Sequence, residues 1–274
     1  GSWLRARAFW VERKSAFCCR SVVRASAGVA ITSRGRSGCC RSKTMGGLFL
    51  ATAGAGTRRA RPSRSVESQK ARIKIDTDRT IGEVNKLIYG NFVEHLGRCV
   101  YGGVYEPGSP LANGKGLRTD VLKAAKDLNV SITRYPGGNF VSNYHWLDGV
   151  GPMENRVPRM ELAWARLETN HFGTNEFIEF AKEIDTEPYF TVNMGTGTIE
   201  EAKNWVEYCN IKDGPYYAEL RKQHGYPEPH NIKYWALGNE MDGFWQMGHL
   251  NAEDYSKKAR EAAKLMRLTS PGIK

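Results

Sequence analysis

Acidic residues are almost absent from the first quarter of the chain. Residues 1–70 hold 2 of the 29 aspartates and glutamates but 15 of the 40 lysines and arginines. The formal net charge of +11 therefore divides into +13 for this stretch and −2 for residues 71–274. A basic folded surface would point to nucleic acid or a membrane. Here the excess lies in a segment rich in Arg, Ser, Ala and Gly with no sustained apolar periodicity, which cannot bury enough surface to offset the entropy of ordering. Residues 1–70 are thus expected to be a disordered basic extension: a transit peptide, implying an organelle, or, if the natural start is Met45, a non-native leader, which favours the cytoplasm.

Other absences narrow the chemistry. The apolar run over residues 47–56 is too short to span a bilayer, so no membrane partner is expected. Four of the six cysteines are the vicinal pairs Cys18-Cys19 and Cys39-Cys40, leaving Cys99 and Cys209 beyond residue 70. That is neither a disulfide framework nor a CxxC zinc site. The six histidines show no HxxxH spacing, and no metal is expected. Nucleotide motifs fail as well. The stretch GTGTIE lacks the third glycine of a dinucleotide fingerprint, and residues 108–116 have the wrong spacing before Gly114-Lys115 and no following Ser or Thr. No cofactor is expected.

From Ala71 the pattern becomes alternating strands and helices. ARIKID and KLIYGNF read as strands, with Glu94 just past the second. Leu117, Val121, Leu122, Ala125 and Leu128 share a helical face. The strand NVSITRYPGGNF breaks at Pro136, and a helix containing Phe177, Phe180, Ala181 and Ile184 follows, with Thr174 as its expected N-cap. The strand EPYFTVNMG leads to a helix headed by a Thr198–Glu201 capping box, with Ala202, Trp205, Val206 and Cys209 inward. A last strand, IKYWALG, precedes a helix that begins after Asn251. Buried strands alternating with helices mean a parallel α/β sheet, doubly wound or closed into a barrel.

The strand ends carry the chemistry. In YWALGNEMDG an apolar strand runs into Gly238, where the backbone can turn sharply, and then into Asn239 and Glu240. Barrel enzymes place catalytic groups at such carboxyl-terminal strand ends. Glu94, Arg134, Asn139, Asn193, Asn239 and Glu240 all occupy them, and Trp146, Trp164 and Trp245 lie between. Polar groups interleaved with aromatics suit a polyhydroxylated ligand such as a sugar.

The stretches IYGNFVEHLGRCVYGGVYEPGSPLA, RYPGGNFVSNYHW, DGVGP, LAWARLETNHFGTNEF and YWALGNEMDGFWQMG resemble the α-L-arabinofuranosidases of glycoside hydrolase family 51. The resemblance implies the first half of a (β/α)8 TIM barrel over residues 71–274. It also implies a retaining hydrolase that releases terminal non-reducing α-L-arabinofuranosyl residues from arabinose-containing saccharides. By the same resemblance Glu240 is the general acid/base, Asn239 binds the sugar 2-hydroxyl, and Glu94, Arg134, Asn139 and Trp164 line the arabinose subsite. The family's nucleophile lies after the seventh strand, so the chain is expected to be a truncated portion of such an enzyme and inactive alone. A relative acting on a glucan or xyloside, and an inert domain whose basic tail binds nucleic acid, are the alternative readings. No nucleic-acid partner is expected on the first reading, and homo-oligomerisation of the full-length enzyme stays open.

Overall fold

Period-two apolar segments become paired strands only where a neighbouring strand is available, and four of them find one another. The computed structural model describes residues 72–274; the expected extension over residues 1–70 lies outside the described residues. The elements run β1 (Asn91–Phe92), α1 (Thr119–Asp127), β2 (Ile132–Tyr135), β3 (Arg159–Glu161), β4 (Arg166–Glu168), α2 (Thr174–Ile184), β5 (Glu187–Val192), α3 (Ile199–Asn210), α4 (Tyr216–Gln223), β6 (Tyr234–Leu237) and α5 (Ala252–Thr269). Strands β1, β2, β5 and β6 form one parallel sheet in chain order. A doubly wound sheet would reverse its order part way, whereas successive (β/α)8 barrel strands add in sequence. The fold is α/β, a partial TIM barrel of four consecutive units. Strands β3 and β4 form a separate antiparallel hairpin between β2 and α2.

The two faces of the sheet differ because alternate side chains point to opposite sides. Tyr135, Phe190 and Trp235 are register partners on three adjacent strands and face the helices. Tyr135 stacks on Phe177 of α2 at 4.5 Å, and Phe190 lies 4.9 Å from Trp205 of α3. Phe190 also stacks on Trp235 at 5.4 Å and is wholly buried. The next residues in register, Phe92, Arg134, Tyr189 and Tyr234, occupy the other face.

Local details sharpen or correct the expectations from sequence. Residues 72–76 of ARIKID make no strand, Ala71 lying outside the described residues: Ile73 and Ile75 are exposed and pair with no strand among the described residues. In KLIYGNF, Lys86–Tyr89 is a 3-10 helix capped by Asn85, and only Asn91–Phe92 pairs. Gly173, not Thr174, is the N-cap of α2. A Cβ at Gly173 would lie 1.8 Å from the Gly149 carbonyl oxygen, so only glycine fits where these backbones meet, and its N–H donates to the Glu176 carboxylate at 2.8 Å. Thr198 caps α3 by accepting from the Glu201 N–H at 3.0 Å. The Glu201 carboxylate turns instead to His145, 3.0 Å away, so half of the expected capping box forms. The last helix, α5, begins after Asn251 as expected, and Asn251 is its N-cap.

Truncating Phe190 to alanine removes the ring shared by the Tyr135, Phe177, Trp205 and Trp235 contacts. The variant is expected to lose about 3–5 kcal/mol of stability, read from the shift in urea midpoint; a loss below about 1 kcal/mol would contradict this ring's central place in the core.

Candidate active site

Gly238 ends β6 in a left-handed conformation at φ +78, where a Cβ would lie 2.8 Å from the Met194 side chain. Two residues later Glu240 is itself left-handed at φ +47. Glutamate rarely adopts this conformation, and such strain persists where surroundings over-determine it. A turn closed by the Gly243 N–H on the Glu240 carbonyl at 2.8 Å, with Met241 buried beneath it, supplies the constraint. The outcome is an exposed Glu240 carboxylate at the carboxyl end of the sheet, accepting from Trp245 Nε1 at 3.3 Å.

Arg134 reaches the same end from the open face of β2. Its Nε donates to Thr191 Oγ1 at 2.8 Å, its Nη2 to Asn239 Oδ1 at 3.0 Å, and its guanidinium lies 5.1 Å from the Phe92 ring centre. Burial pulls its pKa down, while the charges of Tyr189, Glu94 and Glu240 oppose that shift. Asn239 Nδ2 donates to Asn139 Oδ1 at 3.3 Å. Arg134 and Asn139 are thus joined to Asn239, the neighbour of Glu240, across 105 and 100 positions of chain.

Glu94 lies buried after β1, only 8% exposed. Burial raises its pKa; the backbone N–H groups of Phe140 and Gly138, the Trp164 indole and the Arg134 charge hold back part of that rise. The Phe140 N–H donates to Glu94 Oε1 at 3.3 Å. Glu94 fits because Gly137 leaves room: a Cβ there would lie 2.6 Å from Glu94 Cγ. Trp164 sits in the β3–β4 turn beside Glu94, its buried Nε1 without a well-directed hydrogen bond.

One strand-end residue and one of the interleaved tryptophans do other work. Asn193 is buried, donating to the Tyr144 carbonyl and to Thr196 Oγ1, both at 3.0 Å, so it shapes its own loop. Trp146 is a core residue stacked parallel on Trp205, not a pocket aromatic. Two functional supports escaped the sequence reading. Glu161 accepts from the N–H groups of Ala163 at 2.6 Å and Trp164 at 2.7 Å, fixing the turn that carries Trp164. Its burial, which residue type does not reveal, is what distinguishes it. Gln246 donates to Asn139 Oδ1 at 2.8 Å and to the Asn239 carbonyl at 3.0 Å; it lies inside the stretch YWALGNEMDGFWQMG, where sequence reasoning singles out only Asn239, Glu240 and Trp245 for the site. Among the described residues no group of three or more His, Cys, Asp or Glu side chains is placed to hold a metal ion, and no helix is long and apolar enough to cross a membrane.

The raised pKa of Glu94 has a stability sign. Folding disfavours its ionised form, so its contribution is best below the ordinary value of 4.5 and is lost as pH rises through the raised folded value. Glu94→Gln retains an acceptor for Phe140 without a charge to desolvate. Its melting temperature is expected to exceed wild type at pH 7, with the gap closing below pH 4.5; a gap that widens on acidification would reverse the assignment.

Comparison with known proteins identifies the family. The family model described as Alpha-L-arabinofuranosidase 1 domain matches residues 124–274. The chain is 52% identical over 208 residues to a probable alpha-L-arabinofuranosidase C of Aspergillus fumigatus, covering 76% of this chain and 41% of that protein. It is 54% identical over 205 residues to the intracellular exo-alpha-(1->5)-L-arabinofuranosidase 1 of Bacillus subtilis, covering 75% and 41%. Among solved structures, the arabinose complex of the Thermotoga maritima alpha-L-arabinofuranosidase superposes with a TM-score of 0.67 at 57% identity over 68% of this chain and 39% of that one. A family 51 alpha-L-arabinofuranosidase from Bifidobacterium longum gives 0.69 at 48% identity over 70% and 37%. The chain therefore spans about two fifths of the length of the curated relatives it matches, and it belongs to the α-L-arabinofuranosidases of glycoside hydrolase family 51.

Proposed function

We propose that the full-length protein is a retaining glycoside hydrolase that releases terminal non-reducing α-L-arabinofuranosyl residues from arabinose-containing polysaccharides or oligosaccharides. The observation that carries the reading is the hydrogen-bonded group Arg134–Asn239–Asn139, set directly beside the exposed Glu240 at the carboxyl end of a parallel sheet. The arabinose bound by the Thermotoga maritima relative supports the choice of sugar.

Each residue has a role its surroundings suit. Glu240 protonates the departing glycosidic oxygen and then deprotonates water, as the acid/base of a double displacement must. The nucleophile in this reading is a second carboxylate about 5 Å away, expected from the seventh barrel strand. Asn239 binds the sugar 2-hydroxyl. Glu94, buried near Arg134, accepts hydrogen bonds from ring hydroxyls. Asn139 and Arg134 complete the subsite, and the Trp164 indole closes it beside Glu94.

The acid/base role separates substrates by leaving group. In the full-length protein Glu240→Ala is expected to slow hydrolysis of poor-leaving-group arabinosides by about 10²–10⁴-fold, and to slow glycosylation by activated aryl arabinosides much less. Azide should restore turnover and give a glycosyl azide of retained configuration. Equal damage across leaving groups, with no product from azide, would assign Glu240 to binding or nucleophilic attack.

A further inference from the structure

Gln246 follows Glu240 by six residues and is buried, 4% exposed. Its Oε1 is buried without a partner among the described residues, so every hydrogen bond the side chain makes leaves from Nε2. Both go to the site: to Asn139 Oδ1 at 2.8 Å and to the Asn239 backbone carbonyl at 3.0 Å.

The two ends of this network have a chemistry that admits one direction only. A backbone carbonyl accepts and cannot donate, so the Gln246 atom facing the Asn239 carbonyl must be its NH₂. That NH₂ also faces Asn139, which must answer with its oxygen. Asn139 Oδ1 then takes a second donor, Asn239 Nδ2, at 3.3 Å. At the far end Arg134 can only donate, which requires Asn239 to present Oδ1 to it, as it does at 3.0 Å. Both asparagine amides are locked in orientation from opposite ends. Asn139 Oδ1 is saturated by protein donors, and its Nδ2 is the group left for a ligand.

We propose that Gln246 is a positioning residue that sets the amide polarity of Asn139. The arabinose subsite then presents N–H donors, not a carbonyl, to the hydroxyl oxygens of the sugar. The inference rests on the proposed glycosidase reading for its consequence but not for its geometry. It also explains why an unpaired amide carbonyl is tolerated in the interior: the donor half is the part in use, and a leucine of similar size would leave Asn139 held only by the longer 3.3 Å bond from Asn239.

The test is a double-mutant cycle in the full-length protein, with side-chain amide NMR alongside. Gln246→Leu is expected to lower kcat/KM for an aryl α-L-arabinofuranoside about tenfold, mainly through KM. Added to Asn139→Ala, it should cost less than about twofold more, since its effect passes through Asn139. Gln246→Glu provides an isosteric variant should leucine disturb folding. Its carboxylate opposes two acceptors near neutral pH but donates once protonated, so its activity relative to wild type should recover as pH falls. A purely structural role would restore stability on acidification without restoring the Asn139 amide signals, which the NMR arm reads separately. Additive losses, an absence of acid recovery, or Asn139 amide signals unchanged in Gln246→Leu would overturn the proposal. Wild-type protein without arabinofuranosidase activity would instead reject the function, and the Asn139 amide signals would still decide the role of Gln246.

Discussion

A parallel strand buried on one face must hide its large side chains at every second position, and the Tyr135–Phe190–Trp235 row meets that requirement on three adjacent strands at once. The three rings in register, met by Phe177 and Trp205 from the helices, fix which way each strand faces. Once Tyr135 points into the helices, Arg134 points away from them. The direction of the guanidinium, and with it the position of Asn239, is a by-product of packing on the other side of the sheet. The aromatic layer is thus the foundation of the polar site.

The site itself is built from groups that are uncomfortable alone. Glu94 is desolvated enough to raise its pKa, Arg134 enough to lower its own, and Glu240 holds a left-handed backbone. Each is tolerated because a neighbour answers it: the N–H groups of the Gly138–Phe140 turn for Glu94, Thr191 and Asn239 for Arg134, the Gly243 turn for Glu240. Polar groups whose hydration has been replaced by fixed partners need little rearrangement when a ligand arrives, which is the general advantage of a preorganised site.

Much of this was legible in the sequence, for identifiable reasons. Gly238 announced the end of β6 because a turn that tight needs glycine, and the position of Glu240 followed. Strand ends carrying Glu94, Arg134 and Asn139 could be located because apolar runs stop abruptly there. What failed depended on partners. ARIKID alternates as a strand should, but no strand lies beside it, so Ile73 and Ile75 stay exposed. Asn193 and Trp146 have the right chemistry at plausible positions, yet the Tyr144 carbonyl and the Trp205 ring claim them. Gln246 lay inside a quoted stretch but had no assigned part, because its contacts orient another side chain. Residue type does not reveal that, and only the position of Asn139 does.

The hydrogen bonds of the site join residues far apart along the chain: 105 positions separate Arg134 from Asn239, and 107 separate Asn139 from Gln246. Closing loops of that length carries an entropic cost that local structure cannot offset in advance. No hairpin or single βα unit contains both halves of the group, so the array cannot be assembled early and then carried along as the rest of the chain folds. It comes into being only when β2 and β6 are both docked on β5. A ligand held by the Arg134–Asn239–Asn139 group would therefore report on the joined sheet, because its binding would be linked to the longest-range hydrogen bonds of the site.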